Sequence, residues 1–573
     1  MAADKPVTLV LCWHMHQPDY RDHLRNEYRF PWVYLHAIKD YADMAAHLET
    51  APKARAVINF SPVLLRQIED YAGMLKECLQ SGRTLRDPLL AALEAPVLPP
   101  DADRRIALVK ACLRANQKHM IDPYPAYRRL AEIADLVLRD AAAGAYINNQ
   151  YLADIVTWYH MVWLGEALRH DDPLVRELME QGSGFSLHQR RQLLELIYQQ
   201  IAGLAERYRR LAEDGRVELS VSPFGHPILP LLQDFGAARE AVADLPLPAH
   251  DHYPGGDERA RWHLDEAVRE FERFFGFKPA GCWPSEGAVS TATLQLLESA
   301  GFAWTATGEA VLRNSTAAAG NNNNDEGDPL YSAWSLPDSR LKLYARNDGL
   351  SDLIGFSYAD WDAGHAVSDL IGKVLDVADG WNGAGEPVVS IILDGENAWE
   401  YFPHNGWYFL NALYEQLSSH PRIHLATYSA LQESTPAREL DHAVAGSWVH
   451  GTLTTWIGCE DKNRGWDILA QAKRSYDDAA AEAAAAASAD RNDELLAQLA
   501  ACEASDWFWW FGDYNPAAAV SDFEHLYRTH LANLYRMLGQ EPPQSLTQVL
   551  SHGKGTPERG GIMRTGSPGP HGS

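Results

Sequence analysis

The stretch PVVSIILDGEN (residues 387–397) decides the predicted fold, because its apolar run stops abruptly at an acidic turn. Short, unbroken apolar runs are typical of strands buried on both faces, as in parallel sheets. Asp394 and Glu396 follow at the carboxyl end of this strand. Parallel α/β barrels and open sheets place their functional residues at that end. The stretch therefore predicts a parallel α/β fold with a candidate site at one edge.

Similar apolar runs precede this stretch, and helical patterns separate several of them. The predicted strands cover residues 7–13, 56–60, 217–223, 280–284, 303–307, 341–346 and 353–358. Helical patterns cover residues 63–214, with breaks near 96–100 and 123–125, and residues 258–275. This alternation predicts parallel strands with helices outside. His14, His16, His226 and Glu286 also follow predicted strands, so we expect them at the same face, whether the sheet closes into a barrel or stays open.

The later part of the chain has a different character. From about residue 405 strand patterns largely disappear, and residues 466–504 predict helices. We expect a barrel-type domain over residues 1–404, a helical C-terminal domain over residues 405–554 that contributes to the cleft, and a disordered tail over residues 555–573. The polyasparagine stretch Asn321–Asn324 predicts a mobile loop.

Charge and composition narrow the classes of ligand. The chain has 573 residues, with 50 Lys and Arg against 77 Asp and Glu, which gives a formal net charge of −27. An acidic chain repels phosphate backbones and anionic lipids, so nucleic acid and membrane surfaces are poor partners. A neutral carbohydrate fits, and the 18 tryptophans offer flat faces to sugar rings, although core packing accounts for most of them.

Cysteine usage and hydropathy predict a cytoplasmic location. The six cysteines are scattered and form no CxxC pair, which argues against a zinc ribbon or a redox dithiol and favours buried thiols in a reducing compartment. The apolar run Val7–Trp13 is followed by two histidines and no cleavage site, so we interpret it as a strand rather than a signal peptide. No apolar stretch of about 20 residues predicts a membrane span.

Two carboxylates are candidates for glycosidic bond cleavage, which needs one carboxyl group to protonate the leaving oxygen and, in a retaining enzyme, a second to attack the anomeric carbon. Glu286 lies in GCWPSEGAVS, directly after a strand, and Asp394 ends another. Each has an alternative role: an acid near a helix N-terminus stabilises the helix dipole, and an Asp–Gly pair caps turns. Glu396 and Glu400 are nearby rivals.

The histidines and the late aromatic residues are candidate binding residues. His14 and His16, two apart on a strand, share one face, which permits metal binding, hydrogen bonding to sugar hydroxyls or a structural role. No further zinc-type spacing accompanies them, so we predict no metal, and His226 either contacts substrate or fixes a loop. Aromatic clusters occupy residues 446–469 and 505–516. The consecutive aromatics Trp507–Phe511 cannot all face one core from a regular helix, so some should reach a cleft.

Five segments, in order, resemble the five sequence regions of glycoside hydrolase family 57. They are HMHQP (14–18), VELSVSPFGHPILPLL (217–232), CWPSEGAVS (282–290), LDGENAWE (393–400) and SWVHGTLTTWIG (447–458). The match spans residues 7–515 and looks closest to amylopullulanase-like members. The resemblance implies an incomplete (β/α)7 barrel followed by a helical domain, retention of anomeric configuration, no organic cofactor, and substrates such as starch, glycogen, maltooligosaccharides or pullulan.

The resemblance also assigns residues. Glu286 matches the family nucleophile and Asp394 the general acid/base, while His14, His16, His226, Trp283 and Trp456 match positions that line the substrate cleft. We add as substrate-binding candidates Gln17, Glu396, Trp399, His450, Asp461, Trp466, Asp506 and Trp507.

Alternatives remain open at this point. The family also contains 4-α-glucanotransferases and branching enzymes, which use the same carboxylates but transfer to a sugar hydroxyl. An inactive glucan-binding protein and a metal-dependent deacetylase-type enzyme based on His14 and His16 are further candidates. The sequence leaves the linkage preference and the oligomeric state open.

Overall fold

The computed structural model describes residues 5–139, 141–320, 327–483 and 489–555. The predicted tail from residue 556 onward and the polyasparagine stretch lie outside the described residues. The strands, in chain order, are β1 (Val7–Met15), β2 (Arg21–Asp22), β3 (Glu27–Tyr28), β4 (Ala56–Phe60), β5 (Val217–Val221), β6 (Gly281–Cys282), β7 (Trp304–Gly308), β8 (Ala333–Ser335), β9 (Lys342–Arg346), β10 (Val388–Asp394), β11 (Ile423–Leu425) and β12 (Ala437–Glu439).

Seven of these strands form a parallel barrel, which confirms the predicted (β/α)7-type fold. The order around it is β10, β1, β4, β5, β6, β7 and β9. β1 and β10 pair over most of their length, from Thr8 opposite Val388 to His14 opposite Asp394. Closure between β9 and β10 rests on one residue pair, Arg346 opposite Ser390.

Alternation along the strands determines which residues face the barrel interior. Val10 and Cys12 of β1 and Ile392 of β10 belong to a core cluster inside the barrel, whereas Leu9 and Leu11 pack in the outer core against helices. Side chains two residues apart share one face of a strand. The inward positions therefore continue to His14 and Asp394 at the carboxyl ends, which places both above the barrel interior.

Helices surround the barrel and form most of the remaining structure. The α-helices are Trp32–His36, Ala42–Thr50, Pro62–Ser81, Pro88–Glu94, Ala102–Ala111, Pro125–Arg139, Asn149–Val162, Glu166–Asp171, Pro173–Gln181, Leu187–Glu213, Leu229–Gln233, Ala238–Ala241, Gly256–Phe275, Thr291–Ser299, Glu309–Ala318, Asp348–Asp352, Ala363–Gly380, Trp407–Ser419, Glu460–Ala483, Ala489–Cys502, Ser505–Trp510 and Ala517–Met537. π-helical turns occur at Ala37–Tyr41, Gln117–Ile121 and Leu353–Ser357. Within the described residues, no helix is long and apolar enough to cross a membrane.

Two expectations about local structure were wrong. The run at residues 353–358, predicted as a strand, forms the π-helical turn Leu353–Ser357, which continues the helix Asp348–Asp352 that Asn347 caps through the Leu350 N–H. Short apolar runs do not by themselves distinguish strand from helix. Strands also continue past residue 405, since β11 pairs with β1 and β12 with β8. The region after residue 460 is helical, as predicted.

Candidate active site

A cavity of about 550 Å³ opens at the carboxyl ends of the barrel strands. Strand ends and loops of the barrel form one wall, and helical segments form the other. Among the sequence-predicted residues, those lining it are His14, His16, Gln17, His226, Glu286, Asp394, Glu396 and Asp506. The cavity therefore brings the two predicted catalytic carboxylates together with the predicted histidines.

Glu286 lies in a 3₁₀ turn, Ser285–Gly287, directly after β6. Its φ of 59° lies in the left-handed region, which a non-glycine residue adopts at a cost of about 1–3 kcal/mol. Such conformations cluster at functional sites. The Trp448 indole N–H donates to Glu286 Oε2 over 3.0 Å, and the Trp448 backbone N–H donates to the Glu286 carbonyl over 3.0 Å. Trp448 therefore fixes both the backbone and the side chain of Glu286.

Trp283 packs against the turn Ser285–Gly287. Its ring is fully buried and meets Trp448 edge-on, with the ring centroids 5.5 Å apart. A side chain on Gly287 would come within 2.7 Å of the Trp283 ring, so the turn packs directly on the indole. Trp283 does not line the cavity, and it acts on Glu286 through packing.

Asp394 ends β10 and lies half-buried in the cavity wall. Burial raises the pKa of its carboxyl above the usual range, although the Asn397 side-chain amide, which donates to Asp394 Oδ2 over 2.9 Å, and the charges of His16 and Arg346 act in the opposite direction. A raised pKa favours the protonated form that a general acid requires. Asp394 and Glu286 therefore occupy different environments in one cavity.

Arg346 is a buried cation that contacts Trp448, the residue that holds Glu286, and its charge acts on Asp394. It ends β9, pairs with Asp348 and Asp352 at 2.7 Å each, and lies over the Trp448 ring with its guanidinium carbon 5.3 Å from the ring centroid. A guanidinium above an indole face is held by cation–π attraction. Arg346 therefore stabilises Trp448 and adds positive charge near Asp394.

Glu396 is the most deeply buried carboxyl of the cavity, with 2% of its surface exposed. Its Oε1 accepts from the His16 backbone N–H at 3.4 Å and from the Gln17 amide at 3.3 Å, whereas its buried Oε2 has no hydrogen-bond partner. Burial, the charge of Asp394 and that of Asp40 raise its pKa well above the usual range. These effects favour the protonated form of the Glu396 carboxyl.

The buried histidines form a directed hydrogen-bond chain. His14 Nδ1 lies 2.7 Å from Asn59 Oδ1, which can only accept, so His14 donates there. His14 Nε2 and His226 Nε2 are 3.2 Å apart, and Ser505 Oγ lies 2.9 Å from His226 Nδ1. Burial lowers the pKa of His14 to about 3 and that of His226 further below its usual range, so both rings are neutral. Ser505 therefore donates to His226, and His226 donates to His14.

His16, His226 and Asp506 are the one group in the described part of the chain whose ligand atoms lie close enough to bind a metal, within 4.8 Å of one another. However, the His16 and His226 rings stack at 3.7 Å with 17° between their planes. Nitrogen lone pairs lie in the ring plane, and a zinc ion needs them to converge at about 2.0–2.1 Å. The lone pairs of stacked rings lie in nearly parallel planes and do not converge on one point. This geometry therefore suits the observed His16–Asp506 hydrogen bond of 3.0 Å better than a metal centre.

The remaining binding candidates lie away from the cavity lining. Most are rings fixed in the core, and several donate their indole N–H to a backbone carbonyl: Trp399 to Gly395, Trp466 to Trp456 and Trp507 to Ala501. Trp456 is fully buried, Asp461 accepts from Ser551, and His450 is exposed on its loop. In this structure, these residues and Trp283 make no direct contribution to the cavity wall.

Several lining residues were not predicted. All five rings of the run Trp507–Phe511 belong to the core, and Trp509 and Trp510 also line the cavity. The run itself indicated that some rings reach a cleft, but not which. Trp448 lies in the quoted segment 447–458, and Arg346 follows the same strand-end pattern as Asp394. Trp163 ends a helix that is buried all round, and no sequence signal marks it.

Comparisons with known proteins identify the family and the fold. The model of the family described as "Glycosyl hydrolase family 57" matches residues 10–443, well over half of the chain. No curated protein sequence matched. Similar solved structures include a GH57-type branching enzyme from Pyrococcus horikoshii, with a TM-score of 0.56 and 17% identity over 93% of this chain and 89% of that one. The α-amylase AmyC from Thermotoga maritima has a TM-score of 0.53 and 14% identity over 93% and 94% of the two chains. A 4-α-glucanotransferase from Thermococcus litoralis has a TM-score of 0.52 and 12% identity over 93% and 60%.

Proposed function

This chain belongs to glycosyl hydrolase family 57, and we propose that it is a retaining enzyme that cleaves α-glucosidic bonds of starch-, glycogen- or pullulan-type glucans. One observation carries the proposal: Glu286 and Asp394 leave different barrel strands, line one cavity and have unlike environments. Divergent environments separate the protonation states of paired carboxyl groups, as an acid and a nucleophile require.

The proposed mechanism assigns one role to each group. Asp394, whose pKa is raised by burial, donates a proton to the leaving glycosidic oxygen. Glu286 attacks the anomeric carbon and forms a covalent glycosyl–enzyme, while the Trp448 N–H holds its Oε2 in place. Asp394 then takes a proton from water, which hydrolyses the intermediate with net retention.

The cavity supports a neutral glucan as the substrate. Its aromatic lining, which includes Trp448, Trp509 and Trp510, offers flat faces to sugar rings, and its acidic groups disfavour an anionic ligand. The similar solved structures include an α-amylase, a branching enzyme and a 4-α-glucanotransferase. We propose α-1,4 bonds as the main target and α-1,6 bonds as a further one. The unpaired cysteines are compatible with a cytoplasmic enzyme.

A second candidate function is transfer to a sugar acceptor. Aromatic rings beyond Trp509 and Trp510 line the cavity, among them the half-buried Trp32, so a second glucan can stack beside the intermediate. Incubation with maltotriose separates the two reactions. Glucose and maltose alone at early times indicate hydrolysis, whereas longer oligosaccharides indicate transfer.

The direct test compares wild type and Glu286→Gln on pullulan, amylose and maltotriose. We expect the variant to keep its fold and its glucan binding but to lose nearly all turnover, because the amide is a poor nucleophile. Pullulan cleavage by the wild type tests the amylopullulanase-like prediction. Glu400→Gln is the rival substitution: loss of turnover there with activity retained in Glu286→Gln would overturn the assignment.

A further inference from the structure

Two side chains on the cavity wall carry buried polar atoms without a hydrogen-bond partner. Trp163, 1% exposed, has an unpartnered indole N–H, and Glu396, 2% exposed, has an unpartnered Oε2. Both residues line the cavity. An unmade hydrogen bond at a buried polar atom is costly, and native proteins leave few of them. A ligand in the cavity can supply the missing partners.

Both residues interact with the same π-helical turn, Ala37–Tyr41, Trp163 by contact and Glu396 through electrostatics. Lys39 in this turn lies 5.3 Å from the centre of the Trp163 ring, and His36, just before it, meets that ring edge-on at 5.5 Å. Asp40 in the same turn acts electrostatically on Glu396. π-helical turns occur frequently at functional sites.

The turn is held rigidly by its own buried contacts. The His36 ring nitrogen donates to Asp40 over 2.6 Å, and the Lys39 ammonium donates to Asp40 over 2.6 Å and to Asn405 over 2.8 Å. These bonds use both oxygens of Asp40, and no side chain of the turn, including Tyr41 with its own unpartnered hydroxyl, hydrogen-bonds to Trp163 Nε1 or to Glu396 Oε2. Within the protein, the two atoms of these cavity-lining residues therefore have no hydrogen-bond partner.

We propose that the Trp163 indole N–H and Glu396 Oε2 form a subsite that hydrogen-bonds the hydroxyl groups of one glucosyl ring. The two residues position the substrate and take no part in bond cleavage. This inference rests on the proposed function, because Glu396 lies two residues from Asp394 and its ligand is therefore a ring near the cleaved bond.

The chemistry of the two atoms defines the ligand class. An indole N–H can only donate, so the ligand must present an acceptor there. A protonated carboxyl can donate and accept, whereas an anionic group on a ring near the cleaved bond would be repelled by the ionised nucleophile Glu286. A neutral pyranose with adjacent secondary hydroxyls satisfies both conditions, and a uronic acid does not.

The test measures maltotetraose affinity by calorimetry in a Glu286→Gln background, where turnover does not interfere. Trp163→Phe keeps a ring against Lys39 and His36 but removes the N–H, and we expect affinity to fall about 10-fold. Glu396→Leu removes both hydrogen-bonding functions and should cost about 10-fold or more, whereas Glu396→Gln, which can still donate and accept, should stay within about 3-fold of the background.

Kinetics and stability distinguish positioning from a structural role. With Glu286 restored, Trp163→Phe should raise KM and leave kcat within about 2-fold, the pattern of lost uniform binding. The loss of the unpartnered N–H itself costs no stability, so any fall in the melting temperature should be only that of replacing a buried indole by a smaller ring. Tyr344→Phe is the matched control, because its buried hydroxyl also lacks a partner but lies outside the cavity, and we expect no change in affinity or KM.

The possible outcomes separate this inference from the proposed function. Unchanged affinity in Trp163→Phe and Glu396→Leu, in an enzyme that turns over glucans, overturns the subsite alone. Weakened binding in both variants, in a wild type without turnover, supports the subsite and overturns the catalytic proposal. If the background protein does not bind maltotetraose, both are overturned.

Discussion

The two walls of the cavity differ in what they contribute. The barrel wall presents titratable side chains at strand ends, among them His14, Glu286 and Asp394, each fixed by short hydrogen bonds to neighbours. The helical wall presents rings, including Trp510 and Phe523, that stack at 4.7 Å. The comparison shows a division of labour, in which rigid strand ends position reacting groups and the helices provide a surface that binds sugar.

The helical wall contains a weak ion pair between two of its own segments. The Arg114–Asp522 ion pair joins helical segments at the cavity over 3.4 Å, but both side chains are nearly half exposed. Exposed pairs contribute at most about 1 kcal/mol. By contrast, Arg346 on the barrel wall is buried with both of its carboxylate partners close by. Substitutions on the barrel wall should therefore change kcat, and substitutions on the helical wall should change KM.

The largest expected effect is that of Asp394→Asn on the barrel wall. We predict a loss of about 10²–10⁴-fold in kcat on amylose, because the leaving oxygen then lacks its general acid. An activated aryl maltoside needs little protonation and should lose much less. Steady-state kinetics on both substrates check this, and an equal loss on the two would contradict the role of Asp394 as the acid.

Trp448→Phe tests how Glu286 is held. The substitution removes the N–H that donates to Oε2 but keeps a ring beneath Arg346. A hydrogen bond to a charged group is worth about 1.5–3 kcal/mol, so we predict a fall of about 10–100-fold in kcat/KM. A variant with wild-type kcat/KM and an unchanged melting temperature would show that Glu286 needs no such donor.

Trp510→Leu tests the helical wall. A lost aromatic stacking contact costs about 0.5–1.5 kcal/mol, so KM for maltooligosaccharides should rise about 2–10-fold with kcat unchanged. Trp361→Leu is the control, since Trp361 is half exposed and lies outside the cavity lining. If Trp510→Leu lowers kcat and leaves KM unaffected, the division of labour between the walls is wrong.

The smallest effect concerns the pH profile. The positive charge of Arg346 lowers the pKa of Asp394, opposing the larger effect of burial. Its removal in Arg346→Met should therefore shift the basic limb of kcat/KM to higher pH, whereas Arg346→Lys, which keeps the charge, should leave it in place. A shift to lower pH in Arg346→Met would mean that another group controls this limb. Melting temperatures measured alongside reveal any loss from leaving Asp348 unpaired.

The sequence predicts the barrel wall far better than the helical wall, for a physical reason. Glu286 and Asp394 end short apolar strands, and the period of two along a strand also fixes the inward face of His14. The run at residues 353–358 was misassigned because a short apolar run suits a strand and a buried helical turn equally well.

On the helical wall, position depends on how helices dock. Trp507 and Trp510 belong to one short helix, yet the first is fixed in the core and the second reaches the cavity. Trp163 follows a helix that is buried all round, so no periodicity separates cavity from core. The sequence does not identify such residues, because their place on the cavity wall depends on how distant segments pack in the tertiary structure.

The identity of the nucleophile is the central claim, and trapping of the covalent intermediate tests it most directly. A fluorinated α-glucosyl fluoride that reacts to form the glycosyl–enzyme but is released slowly should label the protein, and mass spectrometry of its peptides locates the label. We predict one glycosyl group on the peptide that contains Glu286. A label on the peptide that contains Asp394 and Glu396, or continued turnover by Glu286→Gln, would contradict the account.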